Sequence, residues 1–69
     1  MTVVTLNGET QELGERATVE TALRAIGATD GRGVAVAVDG EVVPRGAWAT
    51  TVVRDGQHVE VLHAVQGGA

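Results

Sequence analysis

Five residue types are absent from this 69-residue chain: cysteine, serine, lysine, phenylalanine and tyrosine. Without cysteine, neither a disulfide nor a thiolate metal site can staple the fold. Two histidines, His58 and His63, cannot build a structural zinc site by themselves, and no carboxylates cluster around them. With Trp48 as the sole aromatic residue, there is no platform on which nucleic-acid bases could stack. All five basic residues are arginines, scattered at Arg16, Arg24, Arg32, Arg45 and Arg54 in a chain of net charge −4. No stripe of them can neutralise successive phosphates, which excludes a nucleic-acid partner. Lacking lysine, the chain cannot receive an isopeptide bond on a side chain, although its own terminus could donate one. An arginine-rich genome accounts for that usage. The longest apolar run falls far short of the roughly 20 residues that a membrane helix needs. The Met1-Thr2-Val3-Val4 start has neither the charged head nor the apolar core of a signal peptide. The expectation is a soluble cytoplasmic protein with no membrane partner.

What is present is aliphatic. Hydrophobic residues make up 43% of the chain, mostly valine and alanine. A core of this size supplies only about 3–5 kcal/mol of net stability, and one small domain is all it can support.

Turn signals divide the chain. Thr2 to Leu6 is a short β-branched strand. Asn7-Gly8 follows, the dipeptide best suited to a hairpin turn that requires positive φ at both central positions. Glu9 to Leu13 reads as the return strand, with the polar outer residues of a sheet edge. Thr18 can cap a helix, and Glu20 suits its first turn. Val19, Ala22, Leu23 and Ile26 fall at i, i+3, i+4 and i+7, one apolar stripe, and Gly27 ends it. After a loop carrying Asp30-Gly31, the run from Val34 to Val38 places three valines on one face and Ala35 and Ala37 on the other. Asp39-Gly40 is a second hairpin signal, leading to Glu41-Val42-Val43, which Pro44 ends. Arg45 to Thr50 reads as irregular, and Asp55-Gly56 makes a third turn. His58 to Val65 is the last strand, with Val59, Val61 and His63 on one face and Glu60, Leu62 and Ala64 on the other. The order ββαββ(β) predicts an α+β domain, one helix across a mixed sheet of four or five strands. It extends over 1–65, followed by a tail at 66–69 with no side chain able to pack, expected to be mobile.

No constellation for catalysis appears. The acidic residues sit at turns and helix starts, and nothing suggests a nucleophile–base pair. The two histidines point to opposite faces of the last strand and read as ordinary strand residues. No metal and no bound cofactor are expected, and the chain is not read as an enzyme. The remaining candidate is the terminus itself. A C-terminal carboxylate can be activated as an acyl-adenylate and then attacked by a sulfur or nitrogen nucleophile. The last residues must then enter another protein's active site unhindered, and Gly67-Gly68 would allow that because glycine permits any backbone angle and close approach.

The chain as a whole resembles the ThiS family of ubiquitin-like β-grasp sulfur carriers. The resemblance is carried by Gly33-Val34-Ala35-Val36-Ala37-Val38, by Glu41-Val42-Val43-Pro44-Arg45 and by Trp48. It continues through Val53-Arg54-Asp55-Gly56, Val59-Glu60-Val61-Leu62 and the ending Ala64-Val65-Gln66-Gly67-Gly68. Small subunits of molybdopterin synthase share the Asp-Gly turn and the Gly-Gly end but usually lack the Pro-Arg…Trp element. The resemblance implies a β-grasp fold and a carrier rather than an enzyme. It implies that a ThiF-type adenylyltransferase, using ATP and Mg²⁺, activates the Gly68 carboxylate, with Gln66 and Gly67 threading into its site. Sulfur from a donor such as a cysteine desulfurase then makes a thiocarboxylate, which a ThiG-type thiazole synthase uses for the thiazole ring of thiamine. The apolar face of Ala35, Ala37, Leu62 and Ala64, bordered by Arg45 and Val65, corresponds to the docking face of ubiquitin-like domains. Trp48 is expected in the core. Gly46 and Gln57 stand where the family commonly has serine and an acidic residue. Ala69 follows Gly68, so under this resemblance either a protease removes Ala69, or the residue is not native to the chain, or the chain is inactive. Alternatives are a carrier serving molybdopterin, cysteine or thiosugar synthesis, a ubiquitin-like protein modifier, and a plain interaction domain.

Overall fold

In a computed structural model that describes residues 1–28 and 33–63, both predicted hairpins and the helix form where the sequence places them. Strand β1 (Thr2–Leu6) turns through Asn7 and Gly8 into β2 (Glu9–Gly14). Both turn residues have positive φ, 51° and 85°, as that two-residue turn demands. The β1–β2 register slips between Thr2 and Val3, a bulge that leaves Leu13 unpaired and half-buried.

Helix α1 (Val19–Ala25) is seven residues long, too short to be stable alone. Its ends are closed locally. The Thr18 hydroxyl accepts from the Thr21 N–H at 3.3 Å, and the Thr21 hydroxyl accepts from the Thr18 N–H at 3.0 Å. This is a reciprocal capping box with threonine in the place usually held by Glu or Gln. At the other end the Gly27 N–H donates to the Arg24 carbonyl, and the Ala28 N–H to that of Leu23. Gly27 at φ 80° allows this Schellman closure, and Ala28 follows it into the core. The exposed Glu20–Arg24 pair, 3.6 Å apart, adds little. Packing stabilises the helix: Val19, Ala22 and Leu23 are buried, and Ile26 is half-buried at its end.

Strands β3 (Val34–Val38) and β4 (Glu41–Val43) flank the Asp39-Gly40 turn. The stretch expected to be irregular after Pro44 contains a single 3-10 turn, Arg45–Ala47. It delivers Trp48 into the core, where its indole N–H donates to the Val43 carbonyl at 2.9 Å. β5 (His58–His63) completes a five-stranded sheet in the order β2-β1-β5-β3-β4. It lies in the middle, parallel to β1 and antiparallel to β3. The expected β-grasp architecture is thus formed with the higher of the two strand counts. Val36, Val38, Val59 and Val61 from the central strands meet Val4, Leu6, Leu23 and Trp48 in one core. The Asp30-Gly31 loop, the docking positions Ala64 and Val65, and the tail expected at 66–69 lie outside the described residues.

Candidate functional site

The pleat of β3 and β5 decides what the sheet shows to solvent. Val36 and Val61 pair across the two strands on the core face, so Ala35 and Leu62, also paired, take the other. Ala35 is exposed, Ala37 half-buried and Leu62 68% exposed. These three docking candidates do share one outer face. Arg45 is exposed at the start of the 3-10 turn beyond β4. The patch has a further member that the sequence reading did not single out. Val42 pairs with Ala37 across the β3–β4 hairpin and is 76% exposed. A signal for it was present: in a three-residue strand Glu41-Val42-Val43, alternation forces one of the two valines outward. Glu60, paired with Ala37 from the other side, adds a negative charge to the patch.

The outer face is a surface rather than a pocket. A depression between the Asn7-Gly8 and Asp39-Gly40 turns, floored by Thr5, His58 and Glu60, opens to solvent. Among the described residues no group of three or more potential ligands could hold a metal.

Two side chains secure β5, the strand that leads towards Gly68. After Leu6 the β1 ladder ends, and Asn7 continues it. Its N–H donates to the Val59 carbonyl at 2.9 Å. Its side-chain oxygen accepts from the Val61 N–H at 2.8 Å, and its side-chain nitrogen donates to the Val61 carbonyl at 3.1 Å. At the other end of β5, Asp39 accepts from the His58 N–H at 2.9 Å and from the Gln57 side-chain amide at 3.1 Å. The His58 N–H above all, then the Gln57 amide, and the nearby His58 charge least, hold the Asp39 carboxyl below its ordinary pKa, against a smaller opposing effect of burial. Gln57 is itself oriented, its oxygen accepting from the Arg54 N–H at 2.7 Å. Asp55 ties this loop to β1 by accepting from the Val3 N–H at 2.8 Å.

The helix, the sheet order and the central β5 together define a member of the ubiquitin-like β-grasp class. Within that class the chain belongs to the ThiS family, whose model matches residues 4–68. It is similar to the crystal structure of the thiamine biosynthesis protein ThiS from Geobacter metallireducens. The two are 33% identical with a TM-score of 0.73, over 96% of this chain and 99% of that one. The solution structure of a thiamine biosynthesis protein from the same organism is 35% identical, with a TM-score of 0.77 over 97% of this chain and 88% of the other. A thiazole synthase from Paramagnetospirillum magneticum is 36% identical over 64 residues, which is 93% of this chain but 19% of that protein. The chain therefore spans about a fifth of the length of that relative.

Proposed function

We propose that this domain is a sulfur carrier for the thiazole of thiamine and that its reacting group is the Gly68 carboxylate. The observation that carries this reading is the ThiS family match, which runs through Gly68 over nearly the whole domain. The thiazole synthase relative supports the pathway, because a segment like this domain occurs there within a longer chain bearing that name.

The chemistry is simple to balance. A Gly68 carboxylate oxygen attacks the α-phosphorus of ATP in a ThiF-type adenylyltransferase, and pyrophosphate leaves. Sulfide then attacks the acyl carbon and AMP leaves, which puts sulfur on glycine as a thiocarboxylate. With a persulfide donor, a second thiol must afterwards cleave the S–S bond. A ThiG-type thiazole synthase receives the sulfur. The carrier binds no nucleotide itself. Its part is to dock through the outer face at Ala35, Ala37, Val42 and Leu62 and to present Gln66 and Gly67 as a thread without bulk. Ala64, Val65 and Arg45 would border that contact. The Gly68 carboxylate is free only once the peptide bond to Ala69 has been cleaved, so a protease precedes the first step.

The test compares chains ending at Gly68 and at Ala69, each mixed with the activating enzyme, ATP and sulfide and then weighed intact. The Gly68 form should exchange oxygen for sulfur and the Ala69 form should not. Its carboxylate sits about 3.5 Å further out, and a misplacement of even about 1 Å can cost on the order of 10²-fold in rate. Equal reaction of both would refute the role of Gly68. Lysine adducts on other proteins, in place of thiocarboxylate, would favour a protein modifier. Leu62→Glu should leave the melting temperature unchanged, since the side chain is exposed, and should raise KM for the carrier. An unaltered KM would remove the outer face from the docking surface.

A further inference from the structure

We propose that Asn7 is a positioning residue for the reacting terminus, acting through Val61; this rests on the sulfur-carrier reading. Hydrogen bonding along β5 alternates between its two neighbours. His58 bonds towards β3, accepting from the Asp39 N–H at 2.8 Å, while Gln57 and Val59 bond towards β1, accepting from the Thr5 and Asn7 N–H groups at 3.0 and 2.9 Å. Val61 is next in the series facing β1, but β1 has already turned away at Asn7, which has φ 51°. The Asn7 carboxamide fills that place. It accepts from the Val61 N–H and donates to the Val61 carbonyl, the pair of bonds a strand residue would make. One side chain thus lengthens the ladder by a residue, across a sequence separation of 54.

Only an amide at this position answers both groups. An aspartate can accept from the N–H but has no donor for the carbonyl, and a glycine keeps the backbone angle and answers neither. The turn alone would tolerate all three, so the choice of asparagine points to the clasp.

The clasp lies at the root of the proposed thread. Gly68 lies seven residues beyond Val61, at most about 25 Å when extended. A domain docked by its outer face and threaded by its tail needs a fixed point between the two. Without the clasp, Val61 to His63 are held from the β3 side alone; each residue that frays back from His63 then lengthens the tether by about 3.5 Å, or about 10 Å by Val61. The reacting carboxylate is then held less often against the α-phosphorus, which lowers turnover more than encounter.

The experiment uses chains ending at Gly68: wild type, Asn7→Gly, Asn7→Asp, and Asp39→Gly as a control. The control frees the other hook on β5 while keeping a turn residue that accepts positive φ. Pyrophosphate release is measured with the activating enzyme at a temperature where circular dichroism shows all four folded. Amide exchange is followed at Val61. Asn7→Gly should exchange faster at Val61 and lower kcat about tenfold, a misplacement effect well within the range known for displaced reacting groups, with a smaller change in KM. Asp39→Gly should leave kcat near wild type. Unchanged kcat in Asn7→Gly overturns the proposal, and so does an equal fall in Asp39→Gly, which would make the effect one of general stability. If the wild-type chain itself releases no pyrophosphate with any activating enzyme of its genome, the carrier reading fails and this inference with it. The exchange at Val61 then still reports whether the clasp holds β5.

Discussion

The two Asx-Gly hairpins have one backbone and two chemistries. Their φ values are 51° and 85° at Asn7-Gly8, and 50° and 86° at Asp39-Gly40. Each first residue reaches across to β5, but the strand offers them different groups. Asn7 meets an N–H and a carbonyl of the same residue, Val61, and a carboxamide can serve both. Asp39 meets two donors, the His58 N–H and the Gln57 amide, and a carboxylate is purely an acceptor. The turn geometry narrows each position to residues that tolerate the left-handed region. What the facing strand leaves unpaired then selects between asparagine and aspartate. A hairpin residue therefore carries tertiary information that its own turn does not require.

The largest loss is expected at neither hook but in the core that both hold the sheet against. Leu23 is 2% exposed, and Leu23→Ala should cost about 2–5 kcal/mol, comparable with the whole margin of a domain this small. Urea denaturation measures it and sets the scale for the hooks. An unshifted midpoint would mean that α1 does not supply the packing both turns rely on.

Next in size is Asn7→Asp, which keeps the turn and exchanges one hook's chemistry for the other's. It leaves the Val61 carbonyl without a donor and turns a carboxylate towards it. The bonds are only part-buried, so the expected loss at neutral pH is about 0.5–1.5 kcal/mol, the usual net worth of a hydrogen bond. Because protonation restores a donor, the introduced carboxyl should have a raised pKa in the folded state. The variant should then recover stability relative to wild type as the pH falls towards that pKa. Equal denaturation midpoints at pH 7 would reduce Asn7 to an ordinary turn residue.

Local physics made much of this molecule legible in the sequence. The hairpins, the apolar stripe of α1, the Thr18 cap and the Gly27 stop each rest on a few adjacent residues. So does the outward placement of Ala35, Ala37 and Leu62, which follows from strand alternation alone. What escaped depends on distant partners. The parallel pairing of Thr5 and Leu6 with His58 and Val59 joins the two ends of the chain, and no local pattern encodes it. The second half of the capping box was missed because threonine, at Thr21, stands where glutamate or glutamine is the usual signal. Val42 was passed over because a valine in a strand is normally assigned inward. For the site, the family resemblance supplied the chemistry of Gly68, and the described residues add the face and the strand that would present it.

The smallest effect expected at a hook is that of Asp39→Asn, and its pH dependence is what sharpens the comparison. Asparagine tolerates the 50° φ of this position and can still accept from the His58 N–H. It loses the charge that draws both donors, and its amide nitrogen faces that of Gln57, whose oxygen is already taken by the Arg54 N–H. The wild-type carboxyl has a folded-state pKa below the ordinary value of 3.8. The unfolded chain therefore binds the proton more readily, and stability rises with pH across that window. The contribution of the charge is fully present above pH 3.8 and is lost as the pH falls through the folded-state value. Wild type should accordingly melt above Asp39→Asn at pH 7, with the gap closing below pH 3.8, whereas the gap to Asn7→Asp closes at higher pH, because the carboxyl introduced there takes up its proton through a raised pKa. Melting curves of both variants and wild type between pH 7 and pH 3 would show the two gaps closing in different windows, that of Asn7→Asp first. A gap for Asp39→Asn that stays constant down to the lowest pH would assign its effect to the crowded amides beside Gln57, and the charge would drop out of the account of this hook.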